Sequence, residues 1–223
     1  MTAPLVLKRT VFLIDDHPMF RRGLTESINA EADLWVCGEC SGEEGTIEVV
    51  LRASPDLVIL DVTLRDRSGL DLLRELLQAG SGLKVLLVSM HEESLYAERA
   101  LRAGARGYMM KHEEPAKMLE CIRQILDGKL YLSESASSGI LQNITKQNDK
   151  GSFYSVDRLS EREFEVFELL AQGRPTGEIG TQLGLSARTV VVHCANIRRK
   201  LNVKHGSELV AYAVRWMQSG GRA

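Results

Sequence analysis

Long apolar runs are missing from this 223-residue chain. A bilayer-spanning helix needs about 20 consecutive apolar residues, and no stretch here approaches that, so no membrane partner is expected. The first residues, Met1 to Arg9, lack a secretory signal pattern, and the default expectation is a cytoplasmic protein. Cysteine is scarce, at Cys37, Cys40, Cys121 and Cys194. Cys37 and Cys40 form one C-x-x-C, with no second pair to complete a zinc site. In a redox enzyme that motif opens a helix, whereas Leu34 to Cys40 reads as a strand, in which a spacing of three puts side chains on opposite faces. Both are read as packing cysteines. The histidines, His17, His91, His112, His193 and His205, show no H-x-x-x-H or H-E-x-x-H spacing. A G-x-G-x-x-G after the first strand and a Walker loop are also missing, which argues against dinucleotide binding and P-loop chemistry.

What is present is an ordinary soluble composition, 44% apolar and 26% charged, long enough for two modest domains. The net charge of −2 hides an asymmetry. Residues 1–154 carry 18 basic and 23 acidic side chains, net −5, and residues 155–223 carry 10 and 7, net +3. An acidic front and a mildly basic tail imply two domains with different partners.

The front alternates. Strand candidates are Val11–Ile14, Trp35–Cys37, Leu57–Leu60, Val85–Val88 and Gly107–Met110. Helix candidates are Met19–Ala30, Glu43–Ala53, Leu70–Leu77, Leu95–Ala103 and Pro115–Leu126, with apolar spacings of three and four as in Leu70, Leu73, Leu76 and Leu77. Five strand–helix repeats predict an α/β fold, a doubly wound five-stranded parallel sheet over residues 10–127. Residues 128–154 weaken into a linker, with room for a short helix over Ser133–Thr145. Residues 155–220 turn all-helical: Glu161–Ala171, Thr176–Leu183, Ala187–Leu201 and Glu208–Met217. Ser160 and Glu163 make a capping box. Gly184-Leu185-Ser186 between two helices is helix-turn-helix grammar, centred on residues 176–195.

The chemistry sits at strand ends. Val11-Phe12-Leu13-Ile14 runs into Asp15-Asp16, and Leu57-Val58-Ile59-Leu60 runs into Asp61. The fourth strand ends in Ser89 and the fifth in Lys111. In a 2-1-3-4-5 order the first and third strands are neighbours at the switch point, where ligands gather. Three carboxylates converging there repel, which raises a pKa or demands a cation. Mg2+ takes oxygen ligands and keeps several waters. Asp61 is then placed as a nucleophile toward a phosphoryl group, Lys111 and the ion neutralise charge, and the Ser89 hydroxyl donates to a phosphate oxygen.

These residues resemble a two-component response regulator of the NarL/FixJ class, with a flavodoxin-like receiver and a LuxR-type helix-turn-helix domain. The likeness covers nearly the whole chain. It implies that Asp15, Asp16, Asp61 and the backbone carbonyl of Thr63 bind Mg2+, and that Asp61 is the phosphoacceptor. It also implies that Ser89, Tyr108 and Lys111 form the phosphate-binding switch, with Tyr108 turning into space left when Ser89 moves inward. His112 stands where many relatives have proline. Leu159-Ser160, Arg162-Glu163, Gly173, Glu178-Ile179, Leu183, Ser186, Thr189-Val190, Val192-His193, Asn196-Ile197 and Lys200-Leu201 carry the helix-turn-helix likeness. Departures are Val191 for a usual lysine, Cys194 for a frequent basic residue, and Gly180 for a common alanine. The implied partners are a cognate histidine kinase, double-stranded DNA and a second copy of the chain on activation. The implied function is transcription control without enzymatic turnover.

In the third helix of the tail, Val190, Cys194, Ile197 and Leu201 share an inward face. Arg188, Val191, Val192, Ala195 and Arg199 face away, with Thr189 and Asn196 alongside, as a DNA-reading surface. Arg188, Arg199, Lys200 and Lys204 are assigned to phosphates. A stripe of Leu209, Val210, Ala213 and Met217 on the last helix is read as exposed and able to pair two copies. Two rival readings remain. One is a regulator that dimerises without phosphate. The other is an Asp-nucleophile phosphatase, against which stands Thr63 where such enzymes place a second acid.

Overall fold

A computed structural model describes residues 8–65, 67–80, 82–90, 93–133, 136–138 and 156–219, without the side chains of 93–95, 157 and 161. The chain divides into two compact units, Met1–Ser137 and Ser138–Ala223.

The first unit is a five-stranded all-parallel sheet, β1 (Arg9–Ile14), β2 (Leu34–Cys40), β3 (Leu57–Asp61), β4 (Val85–Ser89) and β5 (Gly107–Met110), in the order 2-1-3-4-5. Its helices are α1 (Pro18–Asn29), α2 (Thr46–Ala53), α3 (Gly69–Ala79), α4 (Glu93–Arg102) and α5 (Pro115–Leu126). Every residue of β3 and β4 is buried, as their unbroken apolar runs demand in a sheet covered on both faces. Alternation splits the two faces. Val11, Leu13, Ile59, Leu86 and Val88 join Ile28 of α1 and Ile122 and Ile125 of α5 in one core. Phe12, Ile14, Val58, Leu60 and Tyr108, buried as well, take the opposite side of the pleat.

The strand β2 covers Leu34–Cys40, the whole stretch read as a strand and longer than its apolar part Trp35–Cys37, with an irregularity opposite Val11 and Phe12. Gly38 permits it, because a Cβ there would lie 2.5 Å from the Phe12 ring. Helix α2 starts at Thr46 rather than Glu43, since Gly45 at φ 88° can only precede it. The stretch expected as linker begins later than 128: Tyr131 donates its backbone N–H to Arg106 at 2.9 Å and bridges Gly107 beside β5. Most of the short helix expected over Ser133–Thr145, and the polar stretch after it, lie outside the described residues.

The second unit holds a short 3-10 turn (Val156–Arg158), then α6 (Glu161–Ala171), α7 (Thr176–Leu183), α8 (Ala187–Leu201) and α9 (Gly206–Gln218). The capping box forms: the Ser160 amide donates to Glu163 at 2.7 Å, and Glu163 N–H donates to Ser160 Oγ at 3.4 Å. Ser186 caps α8 by accepting from Thr189 N–H at 3.0 Å, and Gly184 at φ 66° ends α7. Gly180 has a packing reason: a Cβ there would lie 2.6 Å from the Leu185 carbonyl in the tight turn. Trp216 meets Phe164 and Phe167 at ring distances of 5.5 and 5.4 Å and anchors α9 on α6.

Among the described residues, no helix is long and apolar enough to cross a membrane. The four cysteines are free. Burial pushes the Cys37 and Cys40 thiols up, which suits packing rather than redox chemistry.

Candidate phosphoryl-acceptor pocket and DNA-reading surface

Parallel β1 and β3 end side by side, with Ile14 paired to Leu60, so Asp15 and Asp61 emerge together. Both are 2% exposed. Such burial of two carboxylates needs a nearby cation, and Lys111 supplies it. Its ammonium donates to Asp61 Oδ2 at 2.6 Å and pairs with Asp15 Oδ2 at 2.7 Å. The lysine arrives from the end of β5, held by its own N–H donating to the Ser89 carbonyl at 2.8 Å, and its ammonium lies 5.0 Å over the Phe20 ring. Asp61 Oδ1 accepts from Thr63 N–H at 3.2 Å. Asp15 Oδ1 accepts from His17 N–H at 2.8 Å, and Arg21 donates to the Asp15 carbonyl.

The charges compete at Asp61. Burial pushes its carboxyl up and the Asp15 charge pushes the same way, while Lys111 and the Thr63 amide pull down; the result is about 6. At neutral pH the group is mostly ionised, as a nucleophile must be.

Asp15, Asp16, His17 and Asp61 bring oxygen and nitrogen atoms within 4.8 Å of one another. This donor set, with three carboxylates and only part of their charge met by Lys111, fits a hard divalent cation. Ser89 and Tyr108, expected as the switch, are both fully buried. Tyr108 stacks on Tyr96 of α4 with ring centroids 6.4 Å apart and planes 13° off parallel. A ring that turns inward from the surface does not describe this state, because Tyr108 is already inside.

Three residues of this pocket escaped the sequence reading. His17 was set aside with the other histidines; its signal was adjacency to the acid pair. Tyr96 left no signal before the β4–β5 pairing was known. Gly69 opens α3 eight residues after Asp61, and a Cβ there would lie 1.9 Å from the Asp61 carbonyl oxygen. Its N–H donates to the Val62 carbonyl at 2.7 Å, so it fixes the loop that carries the acceptor.

In the helical unit, Arg188, Val191, Val192, Ala195 and Arg199 are exposed on α8, Val191 by 56% and Val192 by 54%. Val190, Ile197 and Leu201 are buried, and Cys194 half-buried. Thr189 Oγ1 lies 2.7 Å from Ser186 Oγ, in the helix cap, and Asn196 accepts from Arg199 at 3.3 Å. Lys204 is exposed. Lys200 is partly exposed and donates to Glu163 at 2.5 Å. Burial pushes the Glu163 carboxyl up, but Lys200 and the Ser160 amide outweigh it and hold the group below its usual range. One expectation is corrected: the pairing stripe on α9 is not exposed as a whole. Leu209 and Ala213 are buried, with Trp216, at the three-and-four spacing of the inward face. Val210 remains exposed and Met217 partly so.

Family models match at two places: a response regulator receiver domain over residues 11–123, and the luxR family of bacterial regulatory proteins over residues 157–213. The chain belongs to the two-component response regulators with a LuxR-type DNA-binding domain. It is 35% identical over 196 residues to the nitrate/nitrite response regulator protein homolog of Haemophilus influenzae, covering 88% of this chain and 91% of that protein. It is 34% identical over 205 residues to the nitrate/nitrite response regulator NarL of Escherichia coli K12, covering 91% and 94%. The crystal structure of a LuxR-family two-component response regulator from Aurantimonas sp. SI85-9A1 matches with a TM-score of 0.58 and 28% identity, over 62% of this chain and 99% of that one. The family is one of transcription-regulating response regulators.

Proposed function

We propose that Asp61 accepts a phosphoryl group from a histidine kinase and that this modification promotes dimerisation and sequence-selective DNA binding. The observation that carries the reading is the buried pocket in which one ammonium, Lys111, spans Asp15 and Asp61 at 2.7 and 2.6 Å. Asp15, Asp16, Asp61 and the Thr63 carbonyl would hold Mg2+, and the ion supplies charge neutralisation for the transferred phosphoryl group. Asp61 attacks phosphorus with one carboxylate oxygen while the P–N bond to the kinase's phosphohistidine breaks, and the bonding pair leaves with the imidazole nitrogen, which takes a proton from solvent. Lys111 then exchanges an ion pair with a carboxylate for one with a phosphoryl oxygen, a stronger acceptor. The Ser89 hydroxyl donates to another phosphoryl oxygen. Movement of Ser89 acts on the Tyr108–Tyr96 stack beside it in the sheet order, which biases a two-state face of α4 and β5.

On the DNA side, α8 enters the major groove with Arg188 and Arg199 toward phosphates, joined by Lys204. Val191, Val192 and Ala195 touch thymine methyl groups, and Asn196 reaches adenine when it leaves Arg199. Val210 and Met217 contribute to pairing two copies. The receiver domain spans residues 10–127, with Tyr131 tied to its β5 edge just beyond, and the helix-turn-helix domain spans 155–220. The proposed function places the protein in the cytoplasm, where kinase and DNA are both available.

Acetyl phosphate with Mg2+ tests the acceptor. Intact-protein mass spectrometry should show gain of one phosphoryl group, abolished in Asp61→Asn and slowed in Asp16→Ala. Labelling of the Asn variant at the wild-type rate would sink the assignment.

A further inference from the structure

One group beside the pocket has no role in the function proposed above. His17 is 62% exposed, yet its Nδ1 points back into the acidic cluster. Nδ1 lies 2.8 Å from Asp16 Oδ1, 3.1 Å from Asp15 Oδ1, 3.6 Å from Asp61 Oδ2 and 3.3 Å from Lys111 Nζ. The residue precedes α1 but makes no side-chain cap bond to it, so helix capping does not explain this orientation.

We infer that His17 is a nitrogen ligand of this pocket and tilts it toward first-row transition metals such as Mn2+ over Mg2+. The inference rests on the acidic cluster being the metal site. Its geometric basis is the donor spacing. Neighbouring ligands of an octahedral ion at about 2.1 Å sit roughly 3 Å apart. Nδ1 holds that spacing to carboxylate oxygens of both Asp15 and Asp16, at 3.1 and 2.8 Å. The imidazole reaches the pocket by a ring turned inward at its root, with the ring otherwise in water. In the tautomer that carries its proton on Nε2, Nδ1 offers the lone pair that a metal takes. Carboxylate oxygen alone suits Mg2+ and Ca2+; an added imidazole raises affinity for Mn2+ and later metals more than for Mg2+, which dehydrates reluctantly and favours oxygen. Lys111 shares the pocket: its ammonium holds Asp15 Oδ2 and Asp61 Oδ2 and lies 3.3 Å from His17 Nδ1, so an ion that takes this nitrogen must draw the lysine off it, with Asp15 Oδ1 and Asp16 Oδ1 as its oxygen partners.

The test uses the full chain with Mn2+ and Mg2+ as the only added ligands. Pulsed electron paramagnetic resonance of the Mn2+-loaded protein should show coupling to a directly bound imidazole nitrogen, which His17→Ala removes. Competition between the two ions should show the Mn2+-over-Mg2+ preference falling about tenfold in His17→Ala, through a larger loss of Mn2+ affinity than of Mg2+ affinity. His17→Gln, which retains a polar side chain, should behave like the alanine variant. Absence of nitrogen coupling in the wild type, or an unchanged metal preference in both variants, would overturn the inference. Asp16→Ala separates the two levels: loss of both ions upholds the pocket itself, and unchanged Mn2+ binding in that variant would overturn the pocket and the His17 ligand together.

Discussion

The two units place their functional groups in opposite ways. In the receiver the working side chains are buried and already paired: Asp61 and Asp15 are 2% exposed, and both meet Lys111. On α8 of the helical unit the side chains proposed to read DNA are out in water, and Val191 is 56% exposed. A buried pocket gains chemical strength because low dielectric amplifies each charge, and it pays in stability. An exposed reading face costs the fold little, and its selectivity waits for a partner. The first kind should therefore respond to substitution in both stability and activity, and the second in binding alone.

The largest break in that contrast should come at Gly69. Gly69→Ala drives a Cβ to within 1.9 Å of the Asp61 carbonyl oxygen unless the loop shifts. A cost of about 3 kcal/mol is expected from such overpacking, with loss of most phosphoryl uptake. Chemical denaturation and mass spectrometry read the two effects, and an unchanged midpoint with full labelling would contradict the close approach.

Asp61→Asn should act next, in the opposite direction. The Asp61 carboxyl is raised to about 6 in the folded pocket, against roughly 4 in an unfolded chain. The folded state therefore holds the proton more tightly. Stability falls as pH rises between about 4 and 6, and the full penalty stands above 6. A shift of that size is worth roughly 3 kcal/mol. Asp61→Asn should unfold at higher temperature than wild type at pH 8, and the gain should disappear by pH 4. Adding Mg2+ at pH 8 should narrow the gap by stabilising the wild type.

Lys200→Met asks how much of the helical unit behaves like the pocket. It strands the buried Glu163 carboxylate with only the Ser160 amide. A cost of about 1–2 kcal/mol is expected, lost as the solution is acidified and Glu163 takes a proton. No change in the unfolding midpoint would mean that the pair is an ordinary surface contact.

The smallest effect belongs to the reading face itself. Val191→Lys should leave stability within about 0.5 kcal/mol. It should tighten binding to many duplexes and steepen the salt slope by about one, the value for one added phosphate contact. A salt titration on random duplex DNA decides, and an unchanged slope would place residue 191 off the backbone.

The same contrast explains what could be read from the chain. β3 and β4 were legible because strands buried on both faces are apolar throughout, and the acids and Lys111 were legible because each stands where such a run stops. Sheet order then brings them together without any further information. The helix starts were legible where capping residues mark them, as at Ser160 and Ser186. Gly45 spoiled one boundary, because the turn it allows depends on a positive φ, which has no periodicity. His17 and Gly69 act through close approaches that only folding creates. The tail misled most at Leu209 and Ala213. An amphipathic helix announces that one face is buried, but α9 packs on α6 through the stripe that looked free.

The central claim is that chemistry in the buried pocket governs reading by the exposed face. Selection from a random duplex library by full-length protein, with and without acetyl phosphate and Mg2+, tests it most directly, with Asp61→Asn carried in parallel. The account predicts enrichment of a common sequence with a repeated half-site by the phosphorylated protein, and weak, salt-sensitive, unselective binding by the Asn variant. Equal enrichment by both proteins, or none by either, would contradict it.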